Sequence, residues 1–366
     1  MMRSFAIYRL PQQGGKEEGI RQDRPYVLMI QHEGQPRSLR SFTELNGRKG
    51  FVVAPFAVTT EQPILLIEPD EVRTVERGSW YEHRSEIEES IFGGLQTISI
   101  SSPSTFPASS GRQRYHIDFS NFHSHLINGE FRKIVLSRCL HEERREEVTP
   151  LTLFERACEL YPRMFISLVY TPLSGLWLMA TPEILLEGSG QQWCTIALAG
   201  TMRYREDVKW DIKNIQEQRY VATYLMECLE HFSHQIEEEG PYTTRAANLV
   251  HLRSDFNFVL DDVRRIGELI RALHPTPAVC GLPKQLTFDF IRRNESEPRR
   301  YYSGFSGPFN PEEETHLYVS LRCMQILEDH YRLYAGGGLL RDSVEEQEWE
   351  ETEAKLETMK NLFGMQ

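Results

Sequence analysis

Between Phe165 and Thr201 three strand-like apolar runs follow one another: FISLVYT, LWLMATPEILLEG and WCTIALAGT. Residues 1–110 hold four more, YVLMI, GFVVAPFAV, PILLIE and LQTISIS, with Gly, Pro and charged residues between them. RKIVLSRCL reads as a strand, and HLYVSLRCMQIL with HYRLYAGG as an antiparallel pair. Helical stretches break these runs. DFSNFHSHLINGE is predicted to open on an Asp or Ser cap, and PLTLFERACELY on its proline. DVKWDIKNIQEQRYVATYLMECLEHF has helical spacing through Ile215, Ala222, Met226 and Leu229. DDVRRIGELIRAL ends at HPTP, and EEQEWEETEAKLETM forms the last helix. Runs of strands broken by helices predict an α+β fold with antiparallel sheets.

A chain of 366 residues is long enough for one large domain or two ordinary ones. The Ser- and Pro-rich SSPSTFPASSGRQ (101–113) is the clearest linker, and no internal repeat is visible. The net charge of −12 argues against broad nucleic-acid binding, although local Lys, Arg or backbone N–H groups can still bind anions. The six cysteines, at 139, 158, 194, 228, 280 and 323, form no C-x-x-C pair and no zinc-finger spacing. They read as free thiols in a reducing compartment. The N-terminus lacks the apolar core of a signal peptide. No run approaches the roughly 18 apolar residues of a membrane span. A cytoplasmic, soluble protein is expected.

Several residues have chemical potential, each against a plainer reading. On the last helix, Glu348, Glu351 and Lys355 share a face by spacing. Carboxylates three apart suit a hard cation such as Mg²⁺, whereas a solvated acidic face needs no ligand. Glu217 lies on a predicted helix, off its main apolar stripe, and could supply a further carboxylate. Lys133, bounding its strand, is either an exposed lysine or, desolvated, a base. Glu183, between Pro182 and an apolar triplet, is either a loop residue or a buried acid. Gly336, Gly337 and Gly338 allow backbone N–H groups to approach an anion, or make a flexible turn. Arg322 inside an apolar run requires an anion or a structural partner.

In their order, KIVLSR, TPEILLEG, ALAGTMR, KNIQEQ, HPTPAVCGLP, YYSGFSGPF, SLRCMQI, YAGGGL and EWEETEAKL resemble the chorismate-utilising enzymes. That family contains isochorismate synthases, salicylate synthases, anthranilate synthase large subunits and aminodeoxychorismate synthases. The resemblance covers residues 115–366; residues 1–110 are a less typical, strand-rich part. It implies a single chorismate-binding domain over 1–366, large and α+β, with antiparallel sheets flanked by helices, as in anthranilate and aminodeoxychorismate synthases. It also implies a site in which Glu217 and Glu351 hold Mg²⁺, with Glu348 near. Arg322, Lys355 and the backbone at Gly336 and Gly338 would bind carboxylates. Gly200, Thr201, His251 and Tyr302 match further pocket positions.

Two positions sort the subfamilies by resemblance. Members that add water at C2 of chorismate have lysine where this chain has Lys133; those that add ammonia typically have glutamine. Lys133 would deprotonate the water, and Glu183 would protonate the departing C4 hydroxyl. Ala199 stands where aminodeoxychorismate synthases place a nucleophilic lysine. The resemblance therefore implies an isochorismate synthase feeding menaquinone or a siderophore. Salicylate synthase is the nearest alternative, and an anthranilate synthase-type large subunit a more distant one. No obligatory glutaminase partner is expected. Asn214 and Gln218 replace the acidic residue and the histidine common around the first metal glutamate. Gly-Gly-Gly replaces the commoner Gly-Ala-Gly.

Overall fold

The run LWLMATPEILLEG breaks in the middle. Pro182 has no N–H to give a β-ladder, and the strands on either side of it, Gly175–Thr181 and Ile184–Ser189, enter different sheets. HLYVSLRCMQIL divides in the same way, into Thr315–Val319 and Cys323–Ile326. Only the second half pairs with the strand His330–Leu339, so the expected antiparallel pair is shorter than the sequence suggests. Arg322, at this break, has φ +48°, the left-handed region that a side chain rarely adopts. The crossings are hydrogen-bonded to one another: Val319 N–H donates to the Glu183 carbonyl (2.9 Å) and Ala180 N–H to the Arg322 carbonyl (3.1 Å).

The computed structural model describes residues 3–12, 24–93, 110–145, 147–246 and 248–364. The run LQTISIS and most of the 101–113 linker lie outside them. Among the described residues there are two nine-stranded sheets, antiparallel throughout. The first includes, side by side, Lys133–Glu143, His330–Leu339, Cys323–Ile326 and Gly175–Thr181, and is extended at one side by Ser4–Arg9, Tyr26–Gln31 and Glu71–Val75. The second includes Gln192–Arg203, Ile184–Ser189, Thr315–Val319 and Phe305–Phe309, and is extended by Gly50–Ala54, Ile64–Ile67 and Arg37–Leu39. The N-terminal strands therefore extend both sheets.

The sheets pack face to face around Tyr8, Phe51, Val53, Phe165, Trp177 and Tyr318. The outer face of the first sheet, with Ile7, Leu168 and Leu178, is part of the core that contains Trp80, Phe154 and Leu356 of three helices. The outer face of the second, with Val52, Leu66 and Ala197, is covered by Val221, Leu225 and Leu269. Strands buried on both faces need apolar residues at successive positions, which is why ILLI (64–67) and the Gly175–Thr181 strand show no polar alternation.

Three helices differ from their sequence reading. The helix Ser110–Ile127 starts well before Asp118. Asp118 is no cap; it accepts from Ser296 N–H (3.1 Å) and Oγ (2.6 Å), tying that helix to the 295–297 turn. In the helix Ile212–Leu229, capped by Asp211, the buried face is Asn214, Glu217, Gln218, Val221, Ala222, Leu225 and Leu229. Ile215 is 44% exposed. The apolar stripe is thus rotated from the expected one, and Glu217 lies on the inward face. DDVRRIGELIRAL begins with a 3₁₀ turn, Val263–Arg265, before the α-helix Ile266–Leu273.

Candidate active site

The two crossings bring Glu183 and Arg322 together in the wall of one cavity. Glu183 is 3% exposed, and burial raises its carboxyl pKa to about 8 even though Lys133, Lys355 and Arg322 oppose the shift. This resolves Glu183 as a buried acid rather than a loop residue. Arg322 is also buried, and desolvation lowers its pKa to about 10. Its Nη2 lies 2.5 Å from His251 Nε2. A guanidinium can only donate, so Nε2 must accept and His251 carries its proton on Nδ1. That proton faces Thr201 Oγ1 (3.2 Å) and the Gly200 carbonyl (3.3 Å). Burial first, then Arg322 and Lys355, hold His251 well below the usual imidazole range, so it is neutral.

Gly200 sits in a register break of its strand at φ +73°, and a side chain there would press on Asn214. Asn214 Oδ1 accepts the Thr201 N–H (3.0 Å), and Asp211 holds Asn214 in turn (2.9 Å). Here Asn214 fixes the Gly200–Thr201 bulge. The cap Asp211, three residues before it, is the signal in the sequence that escaped notice.

The glycine run is dictated by crowding on both sides. A Cβ on Gly336 would come within 2.8 Å of the Tyr302 hydroxyl. One on Gly338 would overlap the Glu217 carboxylate and reach 3.0 Å from Lys133 Cε. A Cβ on Gly337 would make ordinary contacts, 3.4 Å to Glu348 Oε2 and 3.7 Å to Glu351 Oε1. Gly338→Ala is therefore expected to abolish ligand binding in the cavity, while Gly337→Ala is expected to bind within about twofold of wild type, since a few ordinary contacts are worth only tenths of a kcal/mol. Isothermal calorimetry on the two variants checks this. Equal behaviour of the pair would contradict it.

Lys133 is fully buried, which excludes the exposed reading. Its Nζ lies 3.0 Å from Glu217 Oε1 but makes no aligned hydrogen bond. Burial pushes Glu217 up, yet Lys133 and Lys213 outweigh it and its pKa is lowered. Ten of the thirteen site residues expected from sequence line the cavity: Glu183, Gly200, Thr201, Glu217, His251, Tyr302, Arg322, Gly336, Gly338 and Lys355. Lys133 stands behind Glu217 and Gly338 rather than in the wall. Glu348 and Glu351 line a second cleft, which meets the first at Thr201.

The carboxylates are paired with lysines. Lys355 donates to Glu351 (2.7 Å) and to the Gly336 carbonyl (2.8 Å), and Lys213 pairs with Glu348. Lys213, one helical turn before Glu217, was not singled out from the sequence. Among the described residues no three acidic, histidine or cysteine groups form a ready cation cage. Mg²⁺, however, needs only one or two carboxylates beside water and an anionic ligand. Glu348 Oε2 is buried without a hydrogen-bond partner. Burial and the adjacent Glu351 raise the Glu348 pKa to about 7. An orphaned buried carboxylate oxygen next to a second carboxylate fits a divalent cation.

The cavity wall combines the cations Arg322 and Lys355 with the carboxyl groups of Glu183 and Glu217. Residues 74–364 match the chorismate binding enzyme family, and the chain belongs to it. It is similar to the isochorismate synthase EntC of Escherichia coli (strain K12), 30% identical over 244 residues, 64% of this chain and 62% of that protein. It is also similar to the isochorismate synthase DhbC of Bacillus subtilis (strain 168), 30% identical over 258 residues, 66% of this chain and 65% of that one. The chain thus spans a little under two thirds of the length of these curated relatives. Among solved structures, DhbC from Bacillus anthracis superposes with a TM-score of 0.76 at 22% identity, over 99% of this chain and 96% of that one. MenF, the menaquinone-specific isochorismate synthase from Escherichia coli, gives 0.75 at 20% identity, over 98% and 88%. At these identities the two structures bear on the fold. No helix among the described residues is long and apolar enough to cross a membrane, and the six cysteines are free thiols.

Proposed function

We propose that the chain is an isochorismate synthase, which converts chorismate to isochorismate reversibly and with Mg²⁺. The observation that carries this is a buried, neutral-leaning Glu183 set in one electrostatic cluster with a buried Lys133, beneath a pocket walled by anion-binding groups. Arg322 and Lys355 present positive charge to the substrate carboxylates. His251, neutral and held by Arg322, orients the Gly200–Thr201 edge. Lys133, once neutral, takes a proton from the water that adds at C2, and Glu183 gives a proton to the C4 hydroxyl as it leaves. Glu217 and Glu351, with Glu348 near, would hold Mg²⁺, whose charge would anchor a substrate carboxylate and compete with Lys133 for Glu217.

Purified protein supplied with chorismate and Mg²⁺ is expected to yield isochorismate, resolved by chromatography. Salicylate with pyruvate would instead make it a salicylate synthase. Product that requires ammonia or a glutaminase would make it an anthranilate synthase-type subunit.

A further inference from the structure

The helix Glu345–Lys360 has to present Glu348 and Glu351 in one direction, yet its first half has little to orient it. Amphipathic helices are usually set by an apolar stripe. Residues 345–353, EEQEWEETE, contain one apolar side chain, Trp349. Two neighbouring carboxylates on such a helix repel each other, and the adjoining cleft offers them water. Leu356 and Met359 of the second half sit in the core and orient the helix from that end, so the first half depends on further contacts to hold its rotation.

One arginine makes the contacts needed. Arg138 lies on the same strand as Lys133, five positions on, so its side chain leaves the opposite face. It is 9% exposed. Its guanidinium lies 3.7 Å from the centre of the Trp349 ring. Its Nε donates to Thr352 Oγ1 (2.7 Å), and its Nη2 pairs with Glu353. Thr352 is fully buried and donates in turn to the Trp349 carbonyl (2.7 Å). Tyr115, from the helix Ser110–Ile127, meets the Trp349 ring edge-on at 5.1 Å. Arg112 also lies 4.8 Å from that ring and pairs with Glu345 and Glu346. The Arg112 side chain is 39% exposed, however, and exposed pairs constrain little.

We infer that Arg138 is a positioning residue for the metal carboxylates. It grips Trp349, Thr352 and Glu353, which flank Glu348 and Glu351 on the helix, and so fixes the rotation that turns those two glutamates toward Gly337. The inference rests on the assignment of Mg²⁺ to these glutamates. Its consequence is that the lysine proposed as base and the carboxylates proposed as ligands are registered through one strand, from its two faces. A lysine at 138 keeps the charge over Trp349 but lacks the fork that reaches Thr352 and Glu353 together.

The test is a Mn²⁺ titration followed by electron paramagnetic resonance at chemical equilibrium, where no net turnover is read. Loss of a residue that orients metal ligands weakens metal binding by about 10–100-fold. Arg138→Met is expected to show that loss while keeping the wild-type far-ultraviolet circular dichroism, and Arg138→Lys to fall between the two. Unchanged Mn²⁺ affinity in folded Arg138→Met overturns the inference and leaves the metal assignment standing. Wild-type protein that binds no Mn²⁺ overturns both. Should Arg138→Met not fold, Thr352→Val, which removes the Nε acceptor together with the bond to the Trp349 carbonyl, is expected to weaken binding severalfold, and unchanged affinity there overturns the inference equally.

Discussion

Lys133→Ala is expected to lower kcat for isochorismate formation by about 10²–10⁴-fold, the range of a lost general base, while chorismate still binds. The side chain is completely enclosed, so solvent water cannot replace it freely. Its side chain stands behind Glu217 and Gly338 and does not itself line the cavity, so binding is expected to fall less than the rate. Removing it also leaves Glu217 without its nearest cation, and broken buried pairs cost stability. The variant is accordingly expected to melt earlier than wild type. Steady-state kinetics beside calorimetric titration with chorismate separates the effects. Full turnover in the variant would eliminate Lys133 as the base.

Glu183→Gln is expected to lose about as much rate, again about 10²–10⁴-fold, and to remove a pH dependence as well. Only a protonated carboxyl can donate to the leaving hydroxyl. Burial holds that proton to about pH 8, so wild-type kcat is expected to fall as pH rises through about 8. The amide has no such titration, so its residual rate should lack that limb. Stability follows the same sign. The folded-state pKa is raised from 4.5, so the contribution is fully present below that value and is lost as pH rises through about 8. A pH–rate profile of both proteins tests this; an identical alkaline limb in the variant would assign that limb to another group.

The α+β class was legible because strands buried on both faces must be apolar at successive positions, as in ILLI at 64–67. The places where the chain changes sheet were not. LWLMATPEILLEG and HLYVSLRCMQIL read as single runs because the residues on both sides of each break are apolar. Yet those breaks are what bring Glu183 and Arg322 together. Lys133 could not be placed from its neighbours, since a lysine before Ile134, Val135 and Leu136 reads equally well as exposed. Its burial comes from long-range packing under Glu217 and Gly338. For Glu217 the apolar spacing misled: of the expected stripe Ala222 and Leu229 are buried, but Ile215 is exposed, and the buried face is rotated to include Glu217.

The Gly-Gly-Gly turn now has a physical explanation by position. Outer glycines are required by Tyr302, Glu217 and Lys133, whereas the middle one leaves room for a methyl group. On the last helix, Glu345 and Glu346 pair with Arg112, and Glu357 with Arg203 and Asn248, as surface residues do. Glu353 is different. Its partner Arg138 is buried, which the glutamate-rich sequence around it gives no reason to expect.

The central claim is that this site adds solvent water to C2 of chorismate. The most direct test is the chorismate and Mg²⁺ reaction run in H₂¹⁸O, with the product examined by mass spectrometry. Isochorismate carrying ¹⁸O in its C2 hydroxyl is the result expected. Isochorismate whose C2 oxygen is unlabelled would contradict the account.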